Sequence, residues 1–165
     1  MPGEGPRRSE RAAKPLKARA ISLLARREYS RAELRTRLLA GGRDAADAAQ
    51  VDRILDELAA LGYLSDARFA NAVVAKKSGD YSKRAISATL KASGVDSEAA
   101  AAALERSDVD DHDAMVALWR RRFGKSPAND REKARQVRFL QSRGFSLSAI
   151  FKLLRNPPED TSPGE

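Results

Sequence analysis

The chain has 165 residues, a length that suits one domain or a short array of small units. Its 31 lysines and arginines outnumber 23 aspartates and glutamates, and the net charge of +8 at pH 7 is typical of proteins that bind phosphates or acidic protein surfaces. Because the sequence has no cysteine, disulfides and cysteine-based metal or redox chemistry are excluded, and a cytoplasmic location is expected.

The two ends of the sequence have the composition of disordered tails. Residues 1–15 are rich in proline, glycine and charge, which predicts a disordered basic arm rather than a secretory or twin-arginine signal. Residues 156–165 carry prolines that end a helix, and a disordered tail is expected there as well. No stretch approaches the roughly 18 apolar residues needed to cross a bilayer, so we expect no membrane contact.

Between the tails, apolar residues recur at helical spacing, beginning with Leu16, Ala20, Leu23 and Leu24. No window alternates apolar and polar residues as a half-buried strand would. The predicted helices span 16–28, 31–40, 45–61, 66–77, 83–92, 97–106, 111–123, 130–143 and 147–155.

Ser30 gives the clearest helix start. Glu33 follows at the capping-box position, and Tyr29 can pack on the helix as a hydrophobic staple. Gly41 and Gly42 then supply the positive φ that closes such a helix. The same staple spacing recurs around three further serines, Ser65, Ser82 and Ser146.

The sequence repeats itself. The segment YSRAELRTRLLAGG at residues 29–42 returns in degenerate form as YSKRAISATLKASG at 81–94, and KARQVRFLQSRG supplies a third version. We therefore predict an all-α fold, an elongated array of three tandem three-helix repeats at 16–62, 63–107 and 108–155. Because one repeat is too small to bury an adequate core alone, neighbouring repeats are expected to share apolar faces. Chance similarity among helices of related composition is the alternative.

The sequence offers little for catalysis, since it has one histidine and no cysteine. His112 lies among Asp110, Asp111 and Asp113, which could suggest a metal site or a hydrolase. The aspartates are better explained as helix-start residues, favoured by free backbone N–H groups and the helix dipole, and their spacing does not fit a calcium loop. No phosphate loop or zinc-finger spacing occurs, so we predict no enzyme, no cofactor and no metal site.

Trp119 admits two interpretations. It precedes three arginines and, with Phe123, could stack on a base of a nucleic acid. Met115, Trp119 and Phe123 also lie at i, i+4 spacing on one side of a helix, which favours packing in the core.

Positive charge recurs at equivalent places in successive repeats. Helices 31–40 and 83–92 are basic, whereas 45–61 is acidic, and residues 119–155 carry eleven lysines or arginines against two carboxylates. This pattern predicts a basic face that binds an extended anionic partner, and a merely solvated charged face is the alternative. The strongest candidates for the basic face are Arg26, Arg27, Arg31, Arg35, Lys83, Arg84, Arg120, Arg121, Arg122, Lys125, Arg135, Arg138 and Arg143.

Several segments together resemble the RecX regulatory proteins: ILDELAAL followed by GYLSDARFA, the segment YSRAELRTRLLAGG, and the closing KARQVRFLQSRGFSLSAIFKLL. The resemblance covers residues 16 to about 154. It implies a non-enzymatic bacterial protein of three-helix repeats that lies in the groove of the RecA recombinase filament and touches more than one RecA subunit. It also implies restraint of the ATPase, strand-exchange and coprotease activities of RecA. The matching residues in GYLSDARFA, which we interpret as helix stop, cap and core, are Gly62, Tyr63, Asp66, Phe69 and Ala70.

The alternative function is a sequence-independent nucleic-acid-binding module that acts without RecA. Short helix pairs with an intervening glycine also resemble helix-turn-helix units. Direct contact with single- or double-stranded DNA is left open by the sequence, and a monomer is expected. Salt dependence separates the two functions, because phosphate binding weakens steeply as salt rises.

Overall fold

The computed structural model describes residues 15–40 and 47–158, and these ranges hold nine α-helices and no strand beyond an isolated bridge between Ser78 and Tyr81. The predicted all-α class is confirmed. The predicted arm and tail lie outside the described residues, except for residues 15 and 156–158. The helices are α1 (Leu16–Leu24), α2 (Arg31–Leu39), α3 (Ala48–Ala60), α4 (Asp66–Lys77), α5 (Lys83–Ala92), α6 (Ser97–Glu105), α7 (Asp111–Arg122), α8 (Asp130–Ser142) and α9 (Leu147–Arg155).

Each predicted helix is present, and the larger differences concern one end of α1 and one of α3. Helix α1 ends at Leu24 rather than at residue 28, because the N–H groups of Arg26 and Arg27 both turn back to Leu23 O, at 3.0 and 3.4 Å. Helix α3 begins after Asp47, whose side chain caps it, and residues 45 and 46 lie outside the described ranges. The longest helices in the described part have 13 residues, too few to span a membrane.

The four predicted serine caps are confirmed. The Oγ atoms of Ser30, Ser65, Ser82 and Ser146 each accept a hydrogen bond from the backbone N–H three residues later, at 3.1, 3.2, 3.1 and 3.2 Å. Such a cap satisfies one of the N–H groups that a helix start leaves without an intrahelical partner. Because capping needs only local geometry, the sequence predicts these helix starts well.

Each of the three repeated segments ends in glycine, which predicts a helix stop at the same place in each repeat. Gly94 follows α5 and Gly144 follows α8, with φ of 79° and 91°. The equivalent stop predicted at Gly41 and Gly42 lies outside the described residues. The stops in the second and third repeats are therefore confirmed, and the one in the first stays a prediction.

The chain divides into two compact units, with the boundary between Leu64 and Ser65. In the first unit, α1, α2 and α3 surround one apolar core that includes Leu34, Leu55 and the staple residue Tyr29. Tyr29 is buried, as the staple prediction requires. One three-helix repeat thus closes around its own core.

The second unit contains α4 to α9 and two separate buried clusters. One lies in α4 to α6 and includes Phe69 and Ile86. The other lies in α7 to α9 and includes Trp119, Leu140 and Ile150. The expectation that neighbouring repeats share apolar faces is therefore wrong for this pair, because each set of three helices buries its own apolar cluster.

Polar contacts join the second and third repeats at a junction made by the start of α5 and the end of α8. The Ser82 N–H donates to Arg143 O at 2.9 Å, and the Ser82 hydroxyl donates to Gly144 O at 2.9 Å. The Lys83 N–H donates to Asp111 Oδ1 at 2.8 Å, which ties α5 to the start of α7. Ser82 is almost fully buried, so these bonds form away from competing water.

Candidate basic-aromatic interface

In the first unit, the arginines of α2 pair with carboxylates of α3. Arg35 Nε donates to Asp52 Oδ1 at 2.8 Å, and Arg35 Nη2 lies 3.4 Å from Asp52 Oδ2. Arg31 Nη2 donates to Asp56 Oδ1 at 2.7 Å. Two of the three arginines of α2 are therefore paired with carboxylates of their own repeat, and the third, Arg37, is exposed.

The Arg35–Asp52 contact also shifts the ionisation of both groups. The hydrogen bond from Arg35 is the largest influence on Asp52 and lowers the pKa of that carboxyl, while partial desolvation opposes it and the charges of Arg35 and Arg31 reinforce it. The same hydrogen bond raises the pKa of Arg35. Both partners remain charged over a wider pH range than they would apart.

The other first-repeat candidates follow α1. Arg27 lies over the Tyr29 ring, with its guanidinium carbon 3.6 Å from the ring centroid, and its Nη1 is 3.3 Å from Glu33 Oε2. Arg26 is exposed. Of these two, Arg27 is again engaged by its own repeat.

The third repeat presents a different arrangement, built on two phenylalanines. The rings of Phe123, at the end of α7, and Phe139, on α8, meet edge to face with centroids 5.4 Å apart. The Arg122 guanidinium lies 5.5 Å from the Phe139 centroid, and that of Arg135 lies 5.8 Å from the Phe123 centroid. Arg143, just after α8, lies 5.0 Å from the Phe139 centroid. Three predicted site residues are thereby brought together.

Arg143 extends this arrangement across the junction into the second repeat. Its guanidinium is also 4.8 Å from the centroid of Tyr81, the staple residue of α5. The Lys77 ammonium, at the end of α4, lies 4.4 Å from the same centroid. We call this set the basic-aromatic cluster: Lys77, Tyr81, Arg122, Phe123, Arg135, Phe139 and Arg143.

No carboxylate in the described part of the chain forms an ion pair with any of the four cations of the basic-aromatic cluster. Glu132 lines a cleft of about 260 Å³ beside Arg122 and Arg135, but its Oε2 accepts the Ala128 N–H at 2.8 Å. A guanidinium that lies on a ring keeps its N–H donors at its edge, where they suit phosphate or carboxylate oxygens. The cluster thus gathers four cations on three partly buried rings, without an ion pair to any carboxylate among the described residues.

The remaining predicted residues do not join the cluster. Arg121 pairs with Asp80 at 2.7 Å between the second and third repeats, and its place in the basic face stays a prediction. Lys125 is exposed and lines the cleft beside the cluster. Lys83 is half-buried, whereas three others are exposed on their helices, namely Arg84, Arg120 and Arg138.

Sequence reasoning missed four members of the cluster as parts of a site. From the sequence, Lys77 is predicted only to lie at the end of a helix and Tyr81 only to act as a staple. Phe123 is weighed as a base-stacking residue and then assigned to the core. Phe139 was not singled out. The available signal is the pair Arg-Phe, which closes α7 at 122–123 and recurs within α8 at 138–139. It places a ring beside a cation at two points of one repeat.

The core interpretation of Trp119 is confirmed, since only 3% of its surface is exposed. The indole N–H donates to Gln136 Oε1 at 2.8 Å, and Gln136 Nε2 donates to Lys125 O at 3.2 Å. A buried indole N–H needs such an acceptor. Trp119 therefore stabilises the third repeat and is not available to stack on a base.

The helix-start interpretation of the aspartates near His112 is also confirmed. The Asp110 carboxylate accepts the backbone N–H groups of His112 and Asp113, at 2.9 and 3.4 Å. Within residues 15–40 and 47–158, no three histidines or carboxylates are grouped as metal ligands would be.

Comparison with known proteins decides the family. Three family models match the chain in order, described as the first, second and third three-helix domains of RecX, over residues 17–58, 65–104 and 108–154. The chain belongs to the RecX family. The resemblance seen in the sequence is thereby confirmed, whereas the repeat limits predicted at 16–62, 63–107 and 108–155 stay a prediction.

Individual RecX proteins resemble this chain over most of its length. The regulatory protein RecX of Leptothrix cholodnii is 40% identical over 140 residues, which is 85% of this chain and 87% of the relative. That of Chromobacterium violaceum is 42% identical over 147 residues, 89% of this chain and 93% of the relative. The crystal structure of RecX from Lactobacillus salivarius aligns with a TM-score of 0.62 at 19% identity, over 85% and 94% of the two chains, and supports the fold. These relatives are named as regulators rather than as enzymes.

Proposed function

We propose that this chain regulates the RecA recombinase by binding its filament in the groove and inhibiting its ATPase, strand-exchange and coprotease activities. Membership of the RecX family supports RecA as the partner. The structural observation that supports the proposal is the basic-aromatic cluster. Its four cations lie on three rings, and none of them forms an ion pair with a carboxylate among the described residues.

The cluster supplies contacts that are weak singly and strong together. An exposed ion pair contributes only about 0.2–1 kcal/mol, because water screens it and ordering two long side chains costs entropy. A guanidinium already resting on a ring has fewer rotamers to lose when it binds. Several such contacts on one scaffold, repeated on more than one RecA subunit, would raise the overall affinity by multivalency.

The cations of the second unit are the better candidates for this contact. Arg31 and Arg35 are engaged by aspartates of α3, and a partner would have to displace those bonds. Arg122 and Arg135 are exposed and have no such competitor among the described residues. We therefore assign the main anionic contact to the basic-aromatic cluster, and minor contacts to the remaining exposed candidates.

The test is RecA ATP turnover on single-stranded DNA, with this protein added below equal stoichiometry. The variant Arg122→Gln/Arg135→Gln should weaken inhibition by about tenfold in the concentration needed, since each lost contact is worth up to about 1 kcal/mol. The matched control Arg37→Gln/Arg53→Gln removes the same charge from exposed positions of the first unit and should leave inhibition nearly unchanged. Unaltered turnover with the unsubstituted protein at every ratio would refute the proposal.

The second candidate function is sequence-independent nucleic-acid binding without RecA, and the same cluster is what favours it, because arginines beside aromatic rings also suit nucleic acids. Its affinity for DNA should fall with salt by roughly one logarithmic unit per logarithmic unit for each phosphate contacted. High DNA affinity with no binding to RecA in matched buffers would establish this function instead.

Location and assembly follow from the same proposal. A regulator of a DNA-bound recombinase would act in the cytoplasm, and a monomer would suffice because each chain already holds three repeats. Analytical ultracentrifugation of the purified protein should give a single species of 18.0 kDa.

A further inference from the structure

A second concave surface lies on the third repeat, away from the residues of the basic-aromatic cluster. It is a cleft of about 360 Å³, within the size range of peptide and small-ligand sites, and it shares no lining residue with the cluster. Its walls come from the loop before α8, from α8 and from α9. The lining residues are Pro127, Lys133, Ser148, Phe151, Leu154 and Arg155.

Helix α9 has apolar side chains both in the core of the third repeat and on the surface of the protein. Ile150 and Leu153 are buried in the third repeat. Phe151 lies in the cleft wall with 39% of its surface exposed, and Leu147, one turn earlier on the same side, is 43% exposed. Covering a large apolar side chain releases about 25 cal/mol per Å² of surface removed from water, so a partner that covers this stripe would be stabilised.

Cations flank this apolar stripe. Lys133 Nζ lies 5.7 Å from the centroid of the Phe151 ring, and Arg155 follows Phe151 by one helical turn. None of the lining residues is acidic, and α9 itself carries no carboxylate. The Ser148 hydroxyl is the remaining polar side chain of the wall. The cleft therefore combines an apolar floor with positive charge on its rim.

We propose that the cleft between α8 and α9 binds an acidic peptide segment of a partner protein. A large apolar side chain of that segment packs against Phe151 and Leu154, and flanking carboxylates meet Lys133 and Arg155. This complementarity is that of protein interfaces, in which an apolar centre is surrounded by a polar rim. The binding is separate from the contact assigned to RecA and does not require it.

The lining favours a peptide over a nucleic acid. Phe151 is the one aromatic residue that lines the cleft, and the Lys133 ammonium lies beside its ring. Successive bases of a nucleic acid would therefore have no series of rings on which to stack. Leucine and proline side chains complete the wall, and these suit apolar side chains rather than sugars and phosphates. The two rim cations match a pair of carboxylates.

The experiment is fluorescence anisotropy of the full-length protein with a labelled short peptide in which glutamates flank a central phenylalanine and leucine. A peptide with lysines in place of the glutamates, and an oligothymidylate, serve as comparison probes. The variants are Phe151→Ala and Lys133→Glu. Lys152→Glu is the matched control, because Lys152 is exposed on the same helix and lies outside the cleft.

The acidic peptide should bind, and each cleft variant should weaken it by roughly tenfold or more, as expected for loss of an anchor or reversal of a facing charge. Lys152→Glu should change the affinity by less than about twofold, because rim charges outside the contact act only at long range. Should Phe151→Ala lose its fold by circular dichroism, Lys133→Glu decides alone, since Lys133 is exposed. Absence of peptide binding, peptide binding unaffected by the cleft variants, or oligothymidylate binding that the same variants weaken equally would each overturn the proposal.

Discussion

Substitution of Gly144 by alanine tests whether the second and third repeats are held together as tightly as their junction indicates. Gly144 has a φ of 91°, and its carbonyl accepts the Ser82 hydroxyl at 2.9 Å. A Cβ built on Gly144 would overlap Ser82 Oγ and lie 2.6 Å from Ala85 Cβ. No real Cβ atom tolerates such contacts, so either α5 or the end of α8 must move.

The magnitude follows from two contributions. The left-handed backbone costs a non-glycine residue about 1–2 kcal/mol. Forcing a methyl group into a packed contact adds about 1–3 kcal/mol. Gly144→Ala should therefore destabilise the second unit by about 2–5 kcal/mol.

Gly79→Ala is the matched control, because Gly79 lies in the same unit with a φ of 87° and nothing within 4 Å of its built Cβ. It carries only the backbone cost, about 1–2 kcal/mol. Urea unfolding followed by the fluorescence of Trp119, the single tryptophan, reports both variants from the core of the third repeat. Equal loss of stability in the two variants would show that the junction yields to an added methyl group, and would refute the close contact.

Three further substitutions test an ion pair, a buried hydrogen bond of the core, and the junction. In Asp52→Asn the loss of stability should be full at neutral pH, should shrink as the pH falls below the ordinary carboxyl pKa of 3.8, and should vanish only below the lowered pKa of folded Asp52. The Arg35 pair stabilises the fold only while Asp52 is ionised, and urea midpoints measured across pH follow this loss. Gln136→Leu should cost about 1–3 kcal/mol by leaving the Trp119 indole N–H unsatisfied, seen in the thermal midpoint. Ser82→Ala removes a helix cap and a junction bond, and should cost about 1–2 kcal/mol in urea unfolding.

Features that depend on neighbouring residues in the sequence were predictable. The serine caps, the staple at Tyr29 and the aspartate at Asp110 need only a few consecutive residues, and the structure confirms each of them. The core role of Trp119 followed from a helical period, which is also local. Agreement is closest where the sequence separation is less than about two helical turns, although the end of α1 differs, lying at Leu24 rather than at residue 28.

Features that depend on how helices are rotated in the packed repeat were not predictable. Arg35 meets Asp52 across 17 positions, and Arg143 meets Tyr81 across 62. The sequence gives the net charge of each helix but not the residues that its charged side chains contact. A basic helix can be rotated so that its arginines face an acidic neighbour or face solvent. In the first repeat, Arg27, Arg31 and Arg35 form ion pairs with carboxylates of that repeat, and their place in a basic face stays a prediction.

The repeats differ in how their cations are engaged, and this difference suits them to different roles. Where arginines pair with aspartates of their own repeat, they order that repeat but lower the positive electrostatic potential at its surface. Where arginines lie on aromatic rings, the positive electrostatic potential remains and can attract an anionic partner. Arg143 connects this division to the fold, because its carbonyl accepts the Ser82 N–H while its guanidinium lies between Tyr81 and Phe139. One residue thus belongs both to the junction and to the basic-aromatic cluster. A change that opens the junction must also move the cations, so the stability of the second unit and the affinity of the cluster are expected to fall together.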